Sequence, residues 1–213
     1  MTEKKKDEYI WLVRGHFNNI RGWLPFETPE DTEKVPDEMV AAMQLSSVGH
    51  FLPADQFPTD NYPMTNDNEG AHRQRIPQIF SSGFTFVCKE SANVLRQFDL
   101  GDGALYPTRL WHPDRVVRVP GEFYYLSQGN KKDAFLKERS PEAASRPGGK
   151  WSPPPNPVDD QLVFSRDALE GPDIWWDKQI VWFFFISDRL ANAMKKAGVS
   201  KDWQLLRCRV ADL

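Results

Sequence analysis

Cysteine is scarce in this 213-residue chain, which holds only Cys88 and Cys208. Each lies in or beside an apolar run, and a core of this size does not depend on disulfides, so both read as buried free thiols. Histidine is nearly as rare, with His16, His50, His72 and His112. None stands at ligand spacing from a second His or a Cys. HExxH and CxxC are missing, which argues against a metal site. GxGxxG, GxxxxGK[ST] and GxSxG are missing too, so neither a phosphate-cradling loop nor a nucleophile elbow has support. The glycines of Gly101-Asp102-Gly103 read as a turn that closes a helix. No cofactor is called for. Apolar runs are short, none approaching the roughly 20 residues of a membrane span. The basic start MTEKKKDEYI leads into no secretion-signal core, so the expected location is cytoplasmic, with no membrane partner. Positive charge is not in excess either. The net charge of −3 argues against nucleic acid as a partner, since that binding rests on neutralising phosphates.

What the chain has is aromatic bulk, with eight Trp and fourteen Phe in a sequence that is 40% hydrophobic. That suits one large globular domain or two small ones. The most patterned stretch is 181–210. Val181-Trp182-Phe183-Phe184-Phe185-Ile186 reads as a strand buried on both faces. Ser187 and Asp188 offer oxygens to the first free N–H groups of a helix. Leu190, Ala191, Met194 and Ala197 share an apolar helical face, Lys195 and Lys196 suit the negative end of its dipole, and Gly198 suits the left-handed closing position. Trp203, Leu205, Leu206 and Val210 read as a returning strand.

An earlier stretch, 84–111, aligns on 183–210 without a gap. Phe86 and Val87 fall on Phe185 and Ile186, Ala92-Asn93 on Ala191-Asn192, and Leu95 on Met194. The expected fold is therefore α+β, with two similar strand–helix–strand halves packed as sheet and helices among long irregular loops. The N-terminal half would span 1–139, with its unit at 84–111. A proline-rich loop or linker would follow at 140–160, then a C-terminal half at 161–213 with its unit at 181–210. One compact domain overall is the other possibility. Further strands are expected at 9–14, 116–119 and 123–126, with short helices at 39–43 and 133–138. Residues 51–75 read as irregular.

Several of these stretches together resemble a bacterial immunity-protein family of polymorphic toxin systems, of the myxobacterial type and formerly a domain of unknown function. FFISDRLANAMKKAGVSKDWQLLRCRV is similar to the family's closing strand, helix, glycine and strand. FVCKESANVLRQFDLGDGALYPTRLW, VVRVPGEFYYLSQGNKKDAF and GPDIWWDKQ resemble its preceding segments. The similarity covers roughly 76–210. It implies an α+β protein that binds and neutralises a cognate secreted toxin in interbacterial competition, with no catalytic residues and no enzymatic activity.

The candidate contact residues are acidic and aromatic. Asp173, Trp175, Trp176 and Asp177 form a group in which tryptophans, enriched at interface hot spots, stand between carboxylates that would complement a basic toxin. A core role is the competing reading for at least one of the two tryptophans. Asp159 and Asp160, and the acidic residues Glu30, Asp31 and Glu33, are further candidates for the same contact. Two other functions stay open: a small hydrolase built from scattered groups such as His112, Asp114 and Glu122, and an oligomeric interaction module. The chain itself is expected to be a monomer or homodimer.

Overall fold

The structure, a computed structural model, describes residues 9–17, 23–24, 35–63, 75–112 and 114–211. Its strands are β1 (Tyr9–Val13), β2 (Trp23–Leu24), β3 (Asp60–Pro63), β4 (Ile79–Ser82), β5 (Phe84–Cys88), β6 (Ala104–Leu110), β7 (Phe123–Ser127), β8 (Lys131–Lys132), β9 (Ala144–Arg146), β10 (Lys150–Ser152), β11 (Val163–Phe164), β12 (Ile174–Asp177), β13 (Phe184–Ser187) and β14 (Leu205–Val210). The helices are α1 (Asp37–Ser47), α2 (Lys89–Leu95), α3 (Asp188–Lys196) and the single turn α4 (Ser200–Trp203). This is an α+β fold with long connecting loops.

Two six-stranded sheets carry it, in the orders β2-β3-β6-β7-β5-β4 and β11-β14-β1-β13-β12-β8. Five strands of each follow one plan. In the first sheet β7 is central and antiparallel to both β5 and β6, β4 flanks β5 antiparallel, and β3 flanks β6 parallel. In the second, β1 is central and antiparallel to β13 and β14, β12 flanks β13 antiparallel, and β11 flanks β14 parallel. The duplicated unit is thus a strand, a helix and a parallel strand, with a third strand inserted between the two.

The register tests the gap-free alignment. Phe86 and Tyr106 both face Tyr125, while Phe185 and Leu206 both face Leu12. Phe86 and Phe185 are 99 positions apart and Tyr106 and Leu206 are 100 apart. The alignment therefore holds through the first strand and slips by one residue in the return strand. A one-residue slip exchanges the faces of a strand, so the added residue is what keeps Leu206 on the same side as Phe185.

Alternation along the strands builds three cores. Val87, Leu126, Phe184 and Ile186 point inward to α2 and α3, whose Ala92, Leu95, Ala191 and Met194 complete a shared centre. Phe84, Phe86 and Tyr125 point the other way, under α1 and Phe57. Ile10, Leu12, Trp175, Phe185 and Phe164 fill the outer face of the second sheet. Gly198 takes φ +73° just after α3, as expected for the closing position.

The halves do not separate at 140–160. β1 is the central strand of the C-terminal sheet, and β8 pairs with β12. Within 140–160 lies a hairpin, β9 paired with β10 across Pro147-Gly148-Gly149. Residues 116–119 form no strand; they close a turn in which the His112 N–H donates to Val117 O. The expected helix at 133–138 is reduced to one tight turn at Lys137–Arg139, and 51–75 contributes β3.

Candidate functional site

The four central candidates are interior. Asp173, Trp175, Trp176 and Asp177 are 1%, 0%, 5% and 4% exposed, so they present little surface of their own. Each is committed to the fold. Asp173 accepts hydrogen bonds from Ser187 Oγ, from Nε and Nη2 of Arg189, and from the Asp99 N–H. It thereby ties the 99–101 turn to the start of α3. Asp177 accepts from the backbone N–H groups of Ala134, Phe135 and Gln179 at 2.8–3.1 Å. Its own burial is the largest influence on its pKa, which it raises. Trp176 Nε1 donates to Gln128 Oε1 at 2.7 Å, and the Lys132 ammonium sits 3.7 Å over the Trp175 ring. Asp159 and Asp160 both serve β14: Asp159 accepts from the Arg207 N–H, and Asp160 makes a two-point pair with the Arg207 guanidinium. Glu30, Asp31 and Glu33 lie outside the described residues.

The hydrolase candidates are likewise engaged locally. Asp114 Oδ1 accepts from the N–H groups of Val116 and Val117, which lowers its pKa. Glu122 is held by Lys89 and the Tyr124 hydroxyl. Both cysteines are buried thiols, and burial pushes Cys88 up to about 12 and Cys208 higher still. Neither has thiolate character at neutral pH. Among the described residues no group of three or more His, Cys, Asp or Glu could hold a metal ion, and no helix is long and apolar enough to cross a membrane.

A different place stands out: of its lining, the sequence singled out Trp176 and Asp177 as contacts but none of the exposed residues. Trp182 is half exposed, at 51%, and its backbone has φ +69°. A bulky residue in the left-handed region is a genuine outlier, costing about 1–3 kcal/mol. Two contacts hold it there. Buried His16 reaches the Trp182 carbonyl through Nε2 at 2.8 Å. The carbonyl can only accept, so Nε2 carries the proton and Nδ1 is bare. Among the described residues Nδ1 is buried without a partner, and protonating it would create a buried cation. Desolvation accordingly lowers His16 to about 4, against a smaller opposite effect of its bond to Trp182. On the outer side the Arg146 guanidinium lies 4.9 Å from the Trp182 ring.

Trp182 forms one wall of a cleft of about 280 Å³, lined also by Val48, Trp176, Ile180, Val181, Lys131, Lys150 and Lys178. Beside the lining residue Val48, Gly49 follows α1 with φ +71°; a Cβ there would come within 2.2 Å of the Trp176 ring. Only glycine lets the end of α1 close onto that indole. The proline-rich hairpin delivers the cations: β9 supplies Arg146 and β10 supplies Lys150, whose ammonium donates to Lys178 O at 2.8 Å. The bridge between Trp151 and Ile180 fixes that hairpin against the cleft. Lys131 has no carboxylate partner among the described residues, and partial burial followed by the charge of Lys150 lowers its pKa. The lining carboxylate, Asp177, already accepts three backbone N–H bonds. The site is therefore a largely apolar cleft lined by two tryptophans and three lysines. Neither a family model nor a curated protein matches the chain.

Proposed function

We propose that this chain is an immunity protein that binds and neutralises a cognate secreted toxin in the cytoplasm, stoichiometrically and without catalysis. The observation that carries the reading is Trp182: an exposed indole held in a strained backbone by a buried histidine. Strain of that kind persists where surrounding structure enforces it, and it clusters at functional positions. Tryptophan with adjacent arginine is the composition of interface hot spots. The resemblance of 76–210 to polymorphic-toxin immunity proteins supplies the kind of partner. The net charge of −3 favours long-range attraction to a basic toxin.

The test is co-expression with the product of the gene adjacent to this one, assayed for toxicity with and without this chain. The expected result is protection of the host cell and a one-to-one complex on purification. Neither complex nor protection would overturn the proposal.

A further inference from the structure

We infer that the cleft between Val48 and Trp182 docks an acidic segment of the partner protein, with an apolar side chain entering the slot and flanking carboxylates meeting its lysine rim. The inference deepens the binding reading above and rests on it for the partner's identity. The chemistry of the occupant follows from the cleft itself.

Charge complementarity selects the occupant. Lys131, Lys150 and Lys178 line one opening of about 280 Å³. Arg146 stands beside it over the Trp182 ring. Asp177 is turned to three backbone donors, and Asp133, the acidic neighbour of Lys132 in sequence, is engaged by Gln179 Nε2 at 2.9 Å. Those bonds leave both carboxylates charged, but three lysines and Arg146 outnumber them, so this opening is locally cationic in a molecule whose net charge is negative. Like charges lining one cleft repel, and a carboxylate bound among them offsets that repulsion.

The apolar part is equally specific. Val48 and Trp182 are 50% and 51% exposed and line the same cleft as the buried Trp176. Phe17, 55% exposed, packs 5.1 Å from Phe183 and extends the apolar surface beyond Trp182. A free phosphate would meet the lysines and leave these walls in water. A peptide carrying both features covers both. The overall charge and the local charge then act at different ranges: the whole molecule attracts a basic toxin, and the cleft selects the acidic segment that the toxin presents.

The probe is an acetylated, amidated peptide Asp-Glu-Leu-Phe-Glu-Asp, titrated calorimetrically into the full chain beside its Lys-for-acid counterpart and inorganic phosphate. The expected result is one-to-one binding of the acidic peptide alone. A Lys131→Glu/Lys150→Glu double variant should weaken it about tenfold or more. Trp182→Gly, which keeps the left-handed backbone without strain, should weaken it about as much. No heat from the acidic peptide would overturn the inference. So would equal binding of both peptides, equally strong binding of phosphate, or unchanged affinity in the double variant. Self-association of the wild type that Trp182→Gly abolishes would assign the face to a second copy and overturn it as well. Titration with the toxin identified by co-expression separates this inference from the broader reading. Equal toxin affinity in wild type and double variant would remove the cleft and leave the binding function standing. Peptide binding without toxin binding would do the reverse.

Discussion

At the scale of single residues, two side chains decide how the cleft is held. Trp182 carries its strain in the backbone, so the ring and the backbone can be tested apart. Trp182→Gly and Trp182→Ala both delete the indole, and only alanine still opposes the positive φ. The glycine variant is therefore expected to be more stable than the alanine variant by about 1 kcal/mol in urea denaturation. Equal midpoints would contradict a strained Trp182. His16 supplies a pH signature. Its ordinary value of 6.5 falls to about 4 in the fold, so the unfolded chain binds the extra proton between those values. Its contribution is present in full above pH 6.5 and is lost as pH falls through 4, amounting to at most about 3 kcal/mol. His16→Gln should flatten that part of the stability curve, and an unchanged slope between pH 6.5 and 4 would show that His16 is not its source. Neither residue was legible in the sequence as a working position. A positive φ at tryptophan has no local signature, since turn chemistry normally marks such places with Gly or Asn. The pairing of His16 with residue 182 spans the chain.

At the scale of elements, the second strand–helix–strand unit was legible because each of its signals is local. Ser187 Oγ accepts from the Leu190 N–H at the start of α3, and Gly198 closes its end, both as the residue types require. The first unit was legible through its likeness to the second, as far as the helix. The extra residue before the return strand was not, because only cross-strand pairing reveals it. The burial of the carboxylates beside the tryptophans was not legible for a different reason: charged groups are rarely fully buried unless paired, and the partners of Asp173 lie on 99, 187 and 189. That network makes a further expectation. Asp173→Ala strands the Asp99 N–H and the Ser187 hydroxyl and releases Arg189, and should cost about 3 kcal/mol in chemical unfolding. Asp173→Asn keeps one acceptor oxygen and should cost about 1–2 kcal/mol. Equal costs would mean that hydrogen bonding by Asp173 is not what matters there. The 140–160 hairpin was hidden by its prolines, though Pro-Gly-Gly between two short runs is a turn signal that the surrounding Pro155 and Pro157 obscured.

At the scale of the whole molecule, the two sheets repeat a plan but share their chain. β1, from the N-terminus, completes the C-terminal sheet, and both sheets close on one centre around α2 and α3. Removal of residues 1–14 is therefore expected to abolish cooperative unfolding of the whole protein, and an isolated 161–213 fragment should show no folded circular-dichroism signal. A truncated chain that melts like the full one would contradict the shared core. The same sharing places the cleft where distant parts meet: the end of α1, β8, the β9–β10 hairpin and the approach to β13 each contribute a wall or a charge. Sequence could supply those residues but not their convergence. The central claim is that this convergence, centred on Trp182, is a partner-binding surface. Its most direct measurement is the affinity of the toxin identified by co-expression for wild type and for Trp182→Gly, with both first shown to be equally folded. The expected result is a one-to-one complex with the wild type and a loss of about tenfold or more in the variant. A toxin that binds neither chain, or binds both alike, would contradict it.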